Sequence, residues 1–366
     1  MTTTTSRRAR WAAVTTAVLG TLIVSACSSN SSSSSSTPSG GSSSSSTSSS
    51  PSGTLNGSGS TFQTNFQQGA ISAFKSVDSG ITVNYGSGGS GKGRTDLAGG
   101  VVNFAGSDSP IPTTEKANFK GKTVLYFPVI IGPITMSYNL SGVSNLKLTP
   151  TVIADIFQGK ITSWNNSAIK AINPGASLPS TPITIAVRAD SSGTTQNFSL
   201  FLMDAAPSVW TLGSSSTIKW PSTAHAAQGN SGVAQVIKTT PGAIGYVDFS
   251  TAKATGLTFA SVKNKAGSYI APSAAAASAS AATATVAPDL TFHAVWGSSA
   301  TAYPITYQSW DLVYAKQPNA NDAALLKAYL GYLLGSGQSL LPSLFYAPLP
   351  ASIDSMAKAQ LSQITS

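Results

Sequence analysis

The stretch that most limits how this chain can fold runs from Tyr85 to Pro110. Apolar and polar residues alternate through Ile81-Thr82-Val83-Asn84-Tyr85, which predicts a strand. The strand runs into glycine and serine, and Thr95-Asp96-Leu97-Ala98 can then start a short helix. A turn of this kind leaves backbone N–H groups free at a helix start, where the helix dipole also favours negative charge. Small residues let an anion approach those groups, and Ser87 and Ser90 can add hydroxyl donors. Phe104-Ala105-Gly106-Ser107-Asp108-Ser109-Pro110 reads as a second strand end that carries one carboxylate. Anion donors and an acid so near each other point to an anion that still holds a proton.

Two nucleotide motifs nearly fit the same residues. Gly86-x-Gly88-x-x-Gly91 matches the dinucleotide fingerprint, with Asp108 about 20 residues on, where the ribose acid belongs. Gly93, Gly99 and Gly100 are expected to interrupt the helix that this fingerprint needs. Gly86 to Lys92 also satisfies G-x-x-x-x-G-K, but Gly93 replaces the Ser or Thr that would hold magnesium.

The N-terminal 53 residues read as export and attachment signals. Arg7, Arg8 and Arg10 precede an apolar run from Trp11 to Val24, the pattern of a signal peptide over 1–26. Val24-Ser25-Ala26-Cys27 looks like a bacterial lipobox, which implies cleavage before Cys27 and lipid on its thiol. Cys27 is the only cysteine, so no intrachain disulfide is available. Residues 28–53 are almost all serine with some Thr, Pro and Gly, and are expected to form a disordered tether. About 310 residues remain, enough for two α/β lobes. The formal charge of +9 falls to +6 without the three leader arginines. No basic run interleaves with aromatics, so nucleic acid is not an expected partner.

Two further junctions repeat the strand, small-residue turn and helix. Phe62, Phe66, Ala70 and Phe74 recur at helical spacing behind Leu55-Asn56-Gly57-Ser58-Gly59, and Ser60 or Thr61 is expected to cap that helix. Ile183 to Val187 predicts a buried strand that delivers Arg188-Ala189-Asp190-Ser191-Ser192-Gly193-Thr194 to a helix over Gln196–Leu202. An arginine offers paired donors suited to a tetrahedral oxyanion, and Asp190 can hold it. Between these junctions, Val124–Ile131 and Ile134–Asn139 read as strands broken at Gly132-Pro133, a candidate crossing between lobes. Helices are expected from Pro150 to Gly159 and from Trp164 to Ala171; Ala274–Ala287 reads equally as helix or loose segment.

In order and spacing these junctions, with Gly159-Lys160-Ile161-Thr162-Ser163-Trp164, Gly242-Ala243-Ile244-Gly245-Tyr246-Val247 and Tyr346-Ala347-Pro348-Leu349-Pro350, resemble the substrate-binding protein of the bacterial phosphate ABC transporter. The resemblance spans Gly57 to Gln363. It implies a type II two-lobed periplasmic-binding-protein fold, α/β, with two crossing strands. Lobe one would comprise 54–128 with 301–366, and lobe two 129–300. The implied phosphate ligands are Thr61, Phe62, Ser90, Asp108, Arg188, Ser192, Gly193 and Thr194, with Asp190 bracing the arginine. Ser87 stays beside Ser90 as an alternative, and Asn165 replaces an aspartate common in relatives. Lys92 and Arg94, where relatives often carry small residues, can add field at the cleft mouth, but solvated side chains are the preferred reading. The implied partners are inorganic phosphate, the transmembrane subunits of an ABC permease and, through the lipid, the outer face of the membrane. A monomer without cofactor or metal is expected.

Other classes have less in the sequence to support them. His225 and His293 are the two histidines, neither within a hydrolase motif, and G-x-S-x-G, H-E-x-x-H and zinc spacings are absent. A phosphate-ester hydrolase would share half of such a site. A surface lipoprotein used in adhesion or sensing could keep the fold without transport.

Overall fold

The computed structural model describes residues 51–366. The leader, the lipobox Cys27 and the tether up to residue 50 lie outside the described residues. The chain opens with β1 (Gly53–Gly59), α1 (Thr64–Val77), β2 (Ile81–Ser87), α2 (Ser90–Ala98) and β3 (Phe104–Ser107). The long β4 (Val124–Tyr138) follows, then β5 (Lys147–Leu148), α3 (Pro150–Phe157) and α4 (Ser167–Ile172). Next come β6 (Thr184–Arg188), α5 (Gly193–Ala205), β7 (His225–Ala227), α6 (Gly229–Thr239), β8 (Ala243–Asp248), α7 (Phe249–Ala254) and β9 (Thr258–Phe259). After β10 (Ser261–Lys263), β11 (Tyr269–Ile270) and α8 (Ala274–Ala281), the chain returns as β12 (Thr306–Tyr314) and ends in α9 (Ala320–Leu334) and α10 (Ala351–Gln360).

One curled sheet runs in the order β2-β1-β3-β12-β4-β8-β6-β7, with β9 on β4, and β11-β10-β5 form a small separate sheet. β4 is the joint of the larger sheet. Its Val124–Pro133 part pairs with β12, and its Ile134–Tyr138 part pairs with β8. The sequence predicts a break at Gly132-Pro133, but the strand passes straight through both residues. Pro133 sits where the neighbouring strand changes, and a missing N–H costs least at the end of a ladder. Parallel pairs β1/β2 and β1/β3 build one half-sheet, and β6/β8 and β6/β7 build the other.

Helix starts differ from the sequence expectation in four places, one being α5, which begins at Gly193, three residues before the expected Gln196. Neither Ser60 nor Thr61 caps α1; the cap position is Gln63, with no side-chain bond. The face repeat itself holds, because Phe62, Phe66, Ala70 and Phe74 are all buried. α4 begins at Ser167, three residues after Trp164, where Asn166 accepts from the Ala168 N–H at 2.9 Å. α2 begins at Ser90, five residues before the expected start, and contains Gly93. A side chain at Gly93 would stand 2.7 Å from the backbone of Ser58 and Gly59, so this glycine does not break the helix but lets it lie against β1. In the open question at Ala274, the chain is helical to Ala281 and capped by Ser273.

Because those neighbours are backbone atoms, they cannot swing aside. Gly93→Ala is therefore expected to destabilise the protein by about 1–3 kcal/mol despite alanine's better helix propensity. Urea unfolding of the variant and the parent measures it; equal midpoints would contradict the packing argument.

Candidate functional site

Three helix approaches meet between the half-sheets. The turn after β1 brings Ser60, Thr61 and Phe62; the start of α2 brings Ser90; the start of α5 brings Ser192, Gly193 and Thr194. Asp108 follows β3 directly and Arg188 ends β6. All eight residues implied as ligands fall in this region. Seven of them are buried, and Thr61 is half-buried.

Asp108 is 1% exposed. Its Oδ1 accepts from the hydroxyls of Ser60 and of Ser309, the latter at 2.6 Å. Its Oδ2 receives only a long 3.4 Å contact from Ser90, whose hydroxyl oxygen accepts from the Asp108 N–H at 3.1 Å. Oδ2 also faces the start of α5: a side chain at Gly193 would lie 2.7 Å from it and 2.4 Å from Ser90 Oγ, so the position tolerates only glycine. Ser90, not the exposed Ser87, is therefore the serine against the acid.

Arg188 is braced by a bidentate bond to Asp190. Its Nε bonds Asp190 Oδ1 at 2.8 Å and a terminal nitrogen bonds Asp190 Oδ2. Asp190 also accepts the Gly229 N–H at 3.0 Å. The other terminal nitrogen reaches Thr194 Oγ1 at 3.3 Å and Asn230 Oδ1 at 3.4 Å. Asn230 extends the cluster to Thr61, donating to its Oγ1 at 3.1 Å. Ser192 caps α5 through the Thr195 N–H, and the Phe62 N–H donates to Ser60 Oγ, both at 3.1 Å. Phe62's ring stacks on Tyr307 at 4.0 Å.

The halves are closed on each other. Gly91 N donates to Ser191 O at 3.0 Å, and Asn197 Nδ2 to Asp108 O at 2.7 Å. A polar cleft of about 560 Å³ opens beside the cluster, lined by Ser109, Ser191, Ser214 and Arg94 but not by Asp108 or Arg188. The chemistry therefore sits behind that opening rather than in it.

Arg94 departs from the solvated reading. It is 1% exposed, forks onto Glu115 at 2.6 and 2.9 Å, and donates to the hydroxyls of Ser107 and Ser109 on either side of Asp108. The physical reason is that α2 starts early and packs on β1 and β3, which points this position inward. Lys92 is solvated and pairs with Asp96 at 2.7 Å. Sequence reasoning did not find Ser309, Asn230 or Asn197 because each lies far along the chain from the residue it serves. Among the described residues, no cluster of metal-ligating side chains occurs, and no helix is long and apolar enough to cross a membrane.

The two-part sheet with an oxyanion-type cluster in its cleft defines the class of two-lobed solute-binding proteins. A family model described as PBP superfamily domain matches residues 44–336. The chain is 36% identical over 312 residues to phosphate-binding protein PstS 3 of Mycobacterium leprae, covering 82% of this chain and 84% of that one. It is 33% identical over 317 residues to phosphate-binding protein PstS of Pasteurella multocida, covering 84% and 89%. It also resembles the structure of a high affinity periplasmic phosphate-binding protein, with a TM-score of 0.70 and 22% identity over 84% of this chain and 94% of that one, a likeness of fold. The chain belongs to the Pst-type phosphate-binding proteins.

Burial sets the titration of the acids. It pushes Asp108 up to about 6, against the Ser309 and Ser60 hydroxyls and the Arg188 charge. It also pushes Asp248 up to about 6 and Asp311 up to about 7. With folded values raised above unfolded ones, the native state holds more protons than the unfolded chain from about pH 4 to pH 7, so these acids lower stability as pH rises through that window. Ligand-free protein is expected to melt at a higher temperature near about pH 5 than near about pH 8. Calorimetry in chloride buffers checks this, and a melting temperature that rises with pH across the window would contradict it.

Proposed function

We propose that this protein binds inorganic phosphate outside the cytoplasm and delivers it to the transmembrane subunits of an ABC permease. The observation that carries the reading is a buried Asp108 carboxylate, with Oδ2 turned to the start of α5, in one cluster with a braced Arg188. Phosphate near neutral pH carries at least one proton and sulfate carries none. A carboxylate acceptor can take the phosphate proton, whereas a sulfate oxygen would leave it unpaired and repelled. Thr61, Phe62, Ser90, Ser192, Gly193 and Thr194 supply hydroxyls and N–H groups from helix starts, and Arg188 supplies the charge. Neutral donors with one cation satisfy a tetrahedral anion without a metal.

The lobes proposed are 54–128 with 301–366, and 129–300, which meet where β4 changes partner. Closure of such lobes around a ligand is a known mode of this class. Lipid on Cys27 would hold the protein at the outer face of the membrane, with the serine-rich residues from 28 as its leash; the sequence expectation runs this leash to Gly53, but Gly53 already belongs to β1. The protein acts as a monomeric binding protein, not an enzyme; no histidine stands near Asp108 among its hydrogen-bond partners.

Isothermal titration with phosphate and sulfate tests the reading. Wild type should favour phosphate strongly, and Asp108→Asn should take up sulfate with the preference reduced by about 100-fold or more. Unchanged selectivity in that variant would count against it. Small-angle scattering should report compaction when phosphate is added to the ligand-free protein, and identical profiles would remove the closing mechanism.

A further inference from the structure

The hydrogen bonds behind Asp108 have a direction that the ligand set does not explain. Ser309 lies at a bulge in β12, where the register against β4 shifts between Ser309 and Trp310. A bulge re-aims a side chain, and here the Ser309 hydroxyl reaches Asp108 Oδ1 at 2.6 Å from a strand more than 200 residues away in sequence. Behind that hydroxyl stands the Gln63 amide, buried at 0% exposure. Its Nε2 donates to Ser309 Oγ at 2.8 Å and to the Trp310 carbonyl at 3.0 Å. Its Oε1 accepts from Gln67 Nε2 at 2.9 Å. Gln67 in turn donates to Asp311 at 3.1 Å and accepts from the Tyr329 hydroxyl at 2.6 Å.

Only one orientation of these amides satisfies every atom. A backbone carbonyl can only accept, so the Gln63 amide nitrogen must face Trp310. It then also faces Ser309, whose oxygen accepts from it and whose single proton points to Asp108 Oδ1 at 2.6 Å, much nearer than the Ser107 carbonyl at 3.3 Å. The Phe62 N–H does the same to Ser60 from the other side, donating to its oxygen at 3.1 Å so that the Ser60 proton goes to Asp108 Oδ1. Oδ1 therefore takes two hydroxyl protons and Oδ2 takes none at a normal distance.

We propose that Gln63 and Ser309 are specificity-determining positioning residues: the amide fixes the hydroxyl as a donor, and the hydroxyl holds Asp108 as an acceptor-only carboxylate with Oδ2 left for the ligand's proton. Without those donors a buried carboxyl is better off protonated, and a protonated acid can donate to sulfate. Sulfate rejection would then fail although every ligand-contacting residue is intact. Burial indeed opposes ionisation of Asp108, and Ser309 is the strongest of the groups that counter it.

The inference rests on the phosphate reading, and the experiment separates the two. Titration of wild type, Gln63→Met, Ser309→Ala and the double variant with phosphate and with sulfate gives the ratio of the two dissociation constants, and calorimetry gives each melting temperature. Each single variant is expected to lower the ratio by about tenfold. Gln63→Met is expected to have no further effect on the ratio in the Ser309→Ala background, since it acts through that hydroxyl. Ratios like wild type in folded single variants, even with lowered melting temperatures, would overturn the proposal, as would additive losses in the double variant. If Gln63→Met does not fold, Ser309→Ala alone decides by the same ratio. A wild type with no preference for phosphate would remove the reading itself and the relay with it.

Discussion

An ionised carboxylate inside a protein is the constraint on which this structure turns. Asp108 is removed from water, and a bare buried charge is costly enough that the group would rather take a proton. The chain offsets this with hydroxyl donors from the turn after β1 and the bulge in β12, a long contact from the start of α2, and the charge of the guanidinium that ends β6. Ser60, Ser309 and Arg188 are each pinned from behind, by the Phe62 N–H, the Gln63 amide and Asp190. On the reading proposed above, discrimination between two tetrahedral anions of similar size and shape would reduce to keeping one side chain without a proton.

The fold supplies that environment by bringing strand ends together. β1, β3 and β6 all point their C-terminal ends at the cleft, each followed by residues small enough for close approach. β4 and β12 run antiparallel through the middle and carry both the joint and Ser309. Polar bonds join the two halves, among them Asn197 to the Asp108 carbonyl, Asn230 to Thr61 and Asn65 to Ser250. Such bonds can be exchanged for bonds to water, which would suit the opening and closing proposed for the lobes.

Much of this is legible in the sequence. The alternation of Ile81–Tyr85, the fourfold spacing of Phe62 to Phe74 and the Pro and Gly that frame α3 follow from local periodicity and turn chemistry. The cluster at Asp108, Arg188 and Thr194 is readable because the first two stand at strand ends and the third in the first turn of a helix, each beside small residues. What escaped was set by tertiary contact. The glycines of β1 are a tertiary requirement, because a side chain at Gly57 or Gly59 would strike the Phe104 ring or the Gly106 backbone. Arg94 reads as surface charge until α2 is known to begin at Ser90 and turn that residue inward onto Glu115. Ser309 carries no local signal, since a bulge in a strand late in the chain leaves no pattern of its own.

The most direct measurement is a crystal structure of the phosphate complex at a resolution that distinguishes protonated from unprotonated oxygens by bond length. The account predicts the anion between the starts of α2 and α5, its one long P–O bond directed at Asp108 Oδ2 and another oxygen on the Arg188 guanidinium. An anion seated in the outer cleft, or one whose protonated oxygen turns away from Asp108, would contradict it.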